Sequence, residues 1–438
     1  MKAHQLEFKF HEGRLLEKIC KEDNLRRAFK LVKRNKGAPG IDGITIEDFE
    51  QNLLEELTQL KQEVLCWKYK PTPVKRVEIP KPDGKGVRLL GIPIIKDRVL
   101  HMAIKMALEP ILDPEFSKNS YGFRPGKNQQ QAVEAAREYV CSGKEFIVDI
   151  DLSKFFDRIN HDRLIQRLSS KIEDKRVLRL IGMILRSGIM ADGSVTILHE
   201  GSVQGSPLSP LLSNLVLDEL DKELEERNLE FCRYADDCNI FVKTERAAIR
   251  VMESIKKFIE TKLKLKVNEE KSKVAKADQV KFLGMTIANG LIAISKKAIN
   301  KAMDTVKTLI PRGSHQPIEK AIDQINIWYN GWASYFKMTQ YPAQLAAIEA
   351  HIRRRLRARF VNQQKRRRNL YRKLIKQGVG KEMAAKTVYT NKGIWNLSHA
   401  RAVEKAFSNE WFAKAGLKIV SNLGLSHWMP INTWVKLM

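Results

Sequence analysis

The segment that most constrains this chain is FCRYADDCNIFV, Phe231 to Val242, where two apolar half-strands flank adjacent acids. The pattern predicts a β-hairpin centred on Asp236 and Asp237. Two carboxylates side by side in an apolar hairpin repel each other and lose hydration. Either the pair is a solvated turn, where Asp is common, or a cation offsets it. Mg²⁺ suits the second case, because it takes a few carboxylates and keeps its other positions for water and phosphate.

A second acidic segment shifts the balance toward the cation. EFIVDID, residues 145–151, is an apolar strand that ends in Asp149 and Asp151. Alternation places both acids on one face. A strand-end carboxylate beside an Asp-Asp hairpin suits a two-metal site for phosphoryl displacement, with ions about 3.5–4 Å apart.

Elsewhere the pattern is mixed. Helices are predicted over Glu22 to Val32, from near Thr45, from about Asp97, over Phe155 to Leu168, Leu208 to Asn228 and Arg246 to Leu263. Strands are predicted at VKRVEIP and at VKFLGMTIA, Val280 to Ala288. NKGAPGIDG, Asn35 to Gly43, reads as a glycine-rich loop. After about residue 295 strand signals fade and the chain becomes helical and basic.

Charge then narrows the function. The 438 residues carry 78 Lys or Arg against 51 Asp or Glu, a net +27. A chain this basic ordinarily meets a polyanion. From His351 to Lys376 there are twelve Lys or Arg and no acid, which is one-sided for a merely solvated face. The five cysteines, Cys20, Cys66, Cys141, Cys232 and Cys238, lack zinc-knuckle spacing. No signal-peptide core or membrane-length apolar run is present. These features point to a cytoplasmic chain with no membrane partner.

Seven segments, in order, resemble the reverse transcriptase/maturase proteins of bacterial group II introns: NLRRAFKLVKRNKGAPGIDG, VEIPKPDGKGVRLLGIPIIKDRVL, SYGFRPGKNQQQAV, DIDLSKFFDRINHDRL, QGSPLSPLLSNLVLDELD, RYADD and KFLGM. The stretch from Lys365 to Leu417 resembles the same family's thumb, or maturase X domain. The resemblance implies an α+β right-hand polymerase fold with fingers, a palm of antiparallel sheet and helices, and a helical thumb. Its implied divisions are an N-terminal helical extension and the start of the fingers at 1–70, fingers and palm at 71–290, the thumb/X domain at 291–420 and a short tail at 421–438.

The resemblance also implies the chemistry. It makes the chain an RNA-directed DNA polymerase that copies an RNA template from a DNA primer with deoxynucleoside triphosphates and two Mg²⁺ ions. It further implies binding of intron RNA as a splicing maturase, and of target DNA during intron mobility. Asp151, five positions before the aromatic Phe156, matches the first catalytic aspartate, with Asp149 as the alternative. Asp236 and Asp237 match the paired aspartates, and all three acids would be metal ligands. Lys81, Arg88, Phe156 and Gln204 match the nucleotide-binding residues, with Phe156 excluding a 2′-hydroxyl. Phe282, Leu283 and Gly284 match the turn that supports the primer. Arg353, Arg354, Arg355, Arg366, Arg367 and Arg368 are the candidate RNA-binding arginines. Arg124 is either a template contact or a structural ion pair. The family's carboxyl-terminal endonuclease has paired cysteines that are absent here, which implies the compact, endonuclease-less class. A relative domesticated for DNA repair or phage defence would share the same polymerase core.

Overall fold

The computed structural model describes residues 14–80, 86–191, 194–196, 200–201 and 205–419. These fall into two compact units. One comprises the described residues up to Tyr139 with Gly143–Ala275; the other comprises Val140–Ser142 with the described residues from Lys276 onward.

The first unit is α+β. Strand β1 (Val74–Pro80) pairs antiparallel with β2 (Val87–Ile92) and parallel with the short β4 (Ile189–Ala191), which pairs with β5 (Ser194–Thr196). A second sheet has the order β6-β7-β3-β8, from β6 (Glu230–Tyr234), β7 (Asp237–Val242), β3 (Phe146–Ile150) and β8 (Lys273–Lys276). Both β6 and β3 run antiparallel to β7. The strands are short and rich in Ile, Val and Phe because one sheet face is packed: Val148, Ile150, Cys238 and Ile240 join the core. The helix Ser209–Glu226 buries Leu211, Leu212, Leu215, Leu217, Leu220 and Leu224 in that core. Each fully buried leucine contributes roughly 1.5–3 kcal/mol.

One predicted helix in this unit is broken. Phe155–Arg158 is a single 3₁₀ turn entered through Lys154 at φ +50°, and the α-helix starts only at His161. Asn160 causes the restart, because its side chain accepts from the Arg163 N–H and caps the new N-terminus.

In the second unit β9 (Met285–Ala288) and β10 (Leu291–Ile294) form a hairpin, followed among the described residues by helices only. Its loop is Asn289-Gly290, both at positive φ, as a two-residue type I′ turn requires. The predicted strand Val280 to Ala288 is interrupted at Leu283 (φ +50°) and Gly284 (φ +86°), so Phe282 bridges back to Met285. The basic run is also divided: one helix ends at Gln363, Lys365 takes φ +56°, and a second helix spans Arg367–Lys376.

Candidate active site

The β6-β7 hairpin closes through Tyr234 opposite Asp237, so its loop is only Ala235 and Asp236. Ala235 has φ +57°, a left-handed conformation that a non-glycine residue adopts only when its surroundings hold it. Asp236 is half-buried at the tip and Asp237 is exposed.

Across β7, Ile150 of β3 faces Cys238 and Asp149 faces Asn239. Asp151 follows Ile150 directly, one residue beyond the last pair of this register. On its other side Asp151 is stitched to the segment after Val267: its N–H donates to Ser272 Oγ (3.0 Å), and its carbonyl accepts from the Asn268 N–H (2.8 Å).

The carboxylates feel one another. Burial raises the pKa of Asp236, the charge of Asp151 pushes the same way, and Arg88 and Arg233 oppose both. Lys271 Nζ lies 3.7 Å from Asp151 Oδ2 but is largely in solvent, where it supplies little compensation. A divalent ion would offset the charge of such an acid pair. No three His, Cys, Asp or Glu side chains among the described residues form a ready-made metal cage. Mg²⁺ in phosphoryl transfer needs only one or two carboxylates, with water and phosphate completing its shell.

The remaining candidates in this unit divide. Arg88 lies exposed on β2 opposite Ile79. Phe156 is half-buried with its ring edge-on to Phe155, and it is Phe155 that enters the core. Lys81 and Gln204 lie outside the described residues. Next to Gln204, Gly205 has its backbone against Gly91: an added Cβ would stand 2.2 Å from the Gly91 carbonyl oxygen. Arg124 is structural, since it pairs with Asp113 Oδ1 (2.7 Å) and donates to the Ser117 and Ser120 carbonyls. Sequence reading passed over Arg233, whose only signal was a charge in an apolar strand directly before the acidic turn.

In the second unit the Phe282-Leu283-Gly284 turn is fixed from two sides. Tyr335 Oη donates to the Leu283 carbonyl (2.5 Å), and the Ser295 N–H donates to that of Gly284 (3.0 Å). A Cβ on Gly284 would stand 3.3 Å from the Phe336 ring.

The candidate RNA-binding arginines separate into two kinds. Arg355 is buried, and its Nε and Nη2 donate to the Ile310 carbonyl (3.1 and 2.7 Å) while Nη2 also reaches Lys307 (3.1 Å). Arg353 is half-buried 3.8 Å from Glu349, and Arg354 stacks 4.1 Å from the centre of the Trp395 ring. Arg353, Arg354 and Arg355 are thus engaged within the protein itself. Arg366, Arg367 and Arg368 are exposed. Arg366 and Arg367 line a cavity of about 830 Å³ with Ser314, His315, Asn362 and Lys365.

The sequence profile described as "Reverse transcriptase (RNA-dependent DNA polymerase)" matches residues 79–287, and that described as "Group II intron, maturase-specific domain" matches 299–378. Protein YkfC of Escherichia coli is 33% identical over 62% of this chain and 82% of its own length. The group II intron-encoded protein LtrA of Lactococcus lactis is 29% identical over 68% of this chain and 61% of its own. A chain of the partial Cas6-RT-Cas1–Cas2 complex is 25% identical over 56% of this chain and 42% of that one, with a TM-score of 0.37. The reverse transcriptase family generally uses divalent metal ions, and no helix among the described residues is long and apolar enough to cross a membrane. With a polymerase segment followed by a maturase segment, the chain belongs to the reverse transcriptase/maturase family of group II introns, as an RNA-directed DNA polymerase.

Proposed function

We propose that Asp151, Asp236 and Asp237 are the catalytic acids of RNA-templated DNA synthesis and hold two Mg²⁺ ions. The observation that carries this reading is that Asp236 stands at the tip of the β6-β7 loop while β3, which pairs with β7, ends immediately before Asp151. Bound there, the ions would activate the primer 3′-hydroxyl and offset charge on the leaving pyrophosphate. Arg88 offers a planar guanidinium fork to the triphosphate of the incoming nucleotide; Lys81 and Gln204 are proposed to act beside it. Phe156, partly exposed on its 3₁₀ turn, supports the incoming sugar and leaves no room for a 2′-hydroxyl. The Phe282-Leu283-Gly284 turn supports the primer end.

The exposed arginines Arg366–Arg368 are proposed to bind intron RNA during splicing. The same protein would carry the intron into target DNA, working in the cytoplasm. Domain limits of 71–290 for fingers and palm and 291–420 for the thumb/X domain are consistent with this division of labour.

Primer extension on an annealed RNA template and DNA primer tests the reading. Asp236→Ala should retain its fold by circular dichroism, bind intron RNA and support splicing, yet extend no primer. Near-normal extension by the folded variant would reject the metal assignment.

A further inference from the structure

Directly behind the Asp236 turn lies a wholly buried guanidinium. Arg233 Nε and Nη2 bind Asp221 Oδ1 and Oδ2 at 2.6 and 2.5 Å. Nη2 also donates to Ser120 Oγ (2.8 Å), and Nη1 to Asn214 Oδ1 (3.0 Å) and the Ala235 carbonyl (2.9 Å). Burial disfavours the cation, but Asp221 outweighs it and keeps Arg233 charged.

That network continues to the outside of the turn. Asn214 Nδ2 donates to the Gly122 carbonyl (2.8 Å). Gly122 lies flush on the loop, where an added Cβ would stand 2.3 Å from the Ala235 nitrogen. The backbone of Arg233 is tied to the same segment, accepting from the Tyr121 N–H (2.8 Å) and donating to Asn119 (2.9 Å).

Stability alone does not call for this arrangement, since apolar replacement of a buried ion pair is often neutral or stabilising. One donor is instead spent on the carbonyl of the peptide that joins Ala235 to Asp236. In a two-residue loop that peptide sets where the Asp236 side chain starts. We propose that Arg233, oriented by Asp221 and Asn214, is a positioning residue that locks the Ala235–Asp236 peptide and thereby aims the Asp236 carboxylate. The proposal rests on the reading of Asp236 as a catalytic acid.

The test uses the full chain on template–primer. The paired variant Arg233→Met, Asp221→Leu removes both buried charges together and with them the donor to Ala235. It should fold and keep its template–primer affinity, with a thermal midpoint lowered by the donors withdrawn from Ala235 and Asn214. Its single-nucleotide extension rate should fall about 100-fold, the scale of a small misplacement. Mn²⁺ binding, read by electron paramagnetic resonance, should weaken about tenfold, as when a residue supporting a metal ligand is lost. A folded paired variant with parent-like rate and Mn²⁺ affinity overturns the proposal, as does a loss confined to template–primer binding. Should the paired variant not fold, Arg233→Lys is read on the same scale. It keeps a cation beside Asp221 but has no planar fork to reach Ala235 as well. Parent-like behaviour of folded Arg233→Lys is likewise fatal. Asp236→Ala run in parallel separates the failures: if it extends primers, the reading of Asp236 is wrong, whatever Arg233 does.

Discussion

Replacing Arg355 by Ala, against the triple replacement of Arg366, Arg367 and Arg368, separates arginines that hold the fold from arginines proposed to hold RNA. The Arg355 guanidinium sits at the C-terminal end of the helix Lys296–Leu309 and satisfies the carbonyls of Lys307 and Ile310. Truncation leaves both carbonyls without that donor in a buried place. At about 1–3 kcal/mol each, the cost is roughly 2–6 kcal/mol. At about 2–4 °C per kcal/mol for a unit of this size, the midpoint should fall by roughly 5–20 °C. The exposed triple replacement should cost little stability, within about 0.5 kcal/mol per site. Its effect should appear in RNA binding. Three lost phosphate contacts flatten the dependence of log affinity on log salt by roughly 2–3, which amounts to about 100-fold in affinity near 0.1 M salt. Thermal unfolding followed by circular dichroism, with filter binding of intron RNA across a salt series, measures both. A triple variant that melts early but binds RNA normally, or an Arg355→Ala protein that melts normally but loses RNA, would refute the division.

Asp149→Ala should lower primer extension less than Asp151→Ala, because Asp149 stands two residues further back, within β3 opposite Asn239; the reverse order in steady-state extension would transfer the metal role to Asp149. Phe156→Val should raise ribonucleotide incorporation relative to deoxynucleotide, and unchanged discrimination in single-nucleotide kinetics would reject Phe156 as the gate. His101 is buried, with Nδ1 3.0 Å from Ser206 Oγ, and burial pushes its pKa down to about 3. The fold therefore prefers the neutral ring, and its stability is full above the unfolded value near 6.5 and is lost as pH falls toward 3. By linkage the loss at pH 5 is about 2 kcal/mol; urea unfolding of His101→Gln at pH 5 and 7.5 should show a difference smaller by that amount.

The hairpin was legible because its pattern is local: apolar half-strands and an acidic centre define both strands and the loop between them. The same holds for β3, whose alternation ends on its acids. Predictions failed where one backbone angle overrode a favourable pattern. Phe155 to Leu168 has helical periodicity, yet Lys154 at φ +50° and the Asn160 cap divide it. Val280 to Ala288 alternates as a strand, yet Leu283 and Gly284 turn it back, held by Tyr335 from a helix far along the sequence. Asn289-Gly290 was a readable hairpin signal that the strand pattern on its left obscured. Arg233 lay beyond reach, because what marks it is not its neighbours in sequence but Asp221, Asn214 and Ser120 folded around it.

The acid-free run has a second explanation besides RNA. Crowded cations need compensation, and carboxylates are not its only source: the C-terminal end of a helix offers unpaired carbonyls and the negative end of its dipole. Arg355 takes that position on the helix Lys296–Leu309, and Arg357 donates to the carbonyl of Phe407, which closes the helix Arg401–Ala406. Arg359 reaches the carbonyl of Gln316. Within Arg353–Arg359 an absence of acids therefore says little about a polyanion, since backbone carbonyls accept the donors. Beyond the break at Lys365 the side chains of Arg366, Arg367 and Arg368 stand in solvent, with one backbone contact, Arg367 to the Lys392 carbonyl. The argument from charge to RNA holds its full weight only there, on the shorter stretch where the chain itself supplies least compensation.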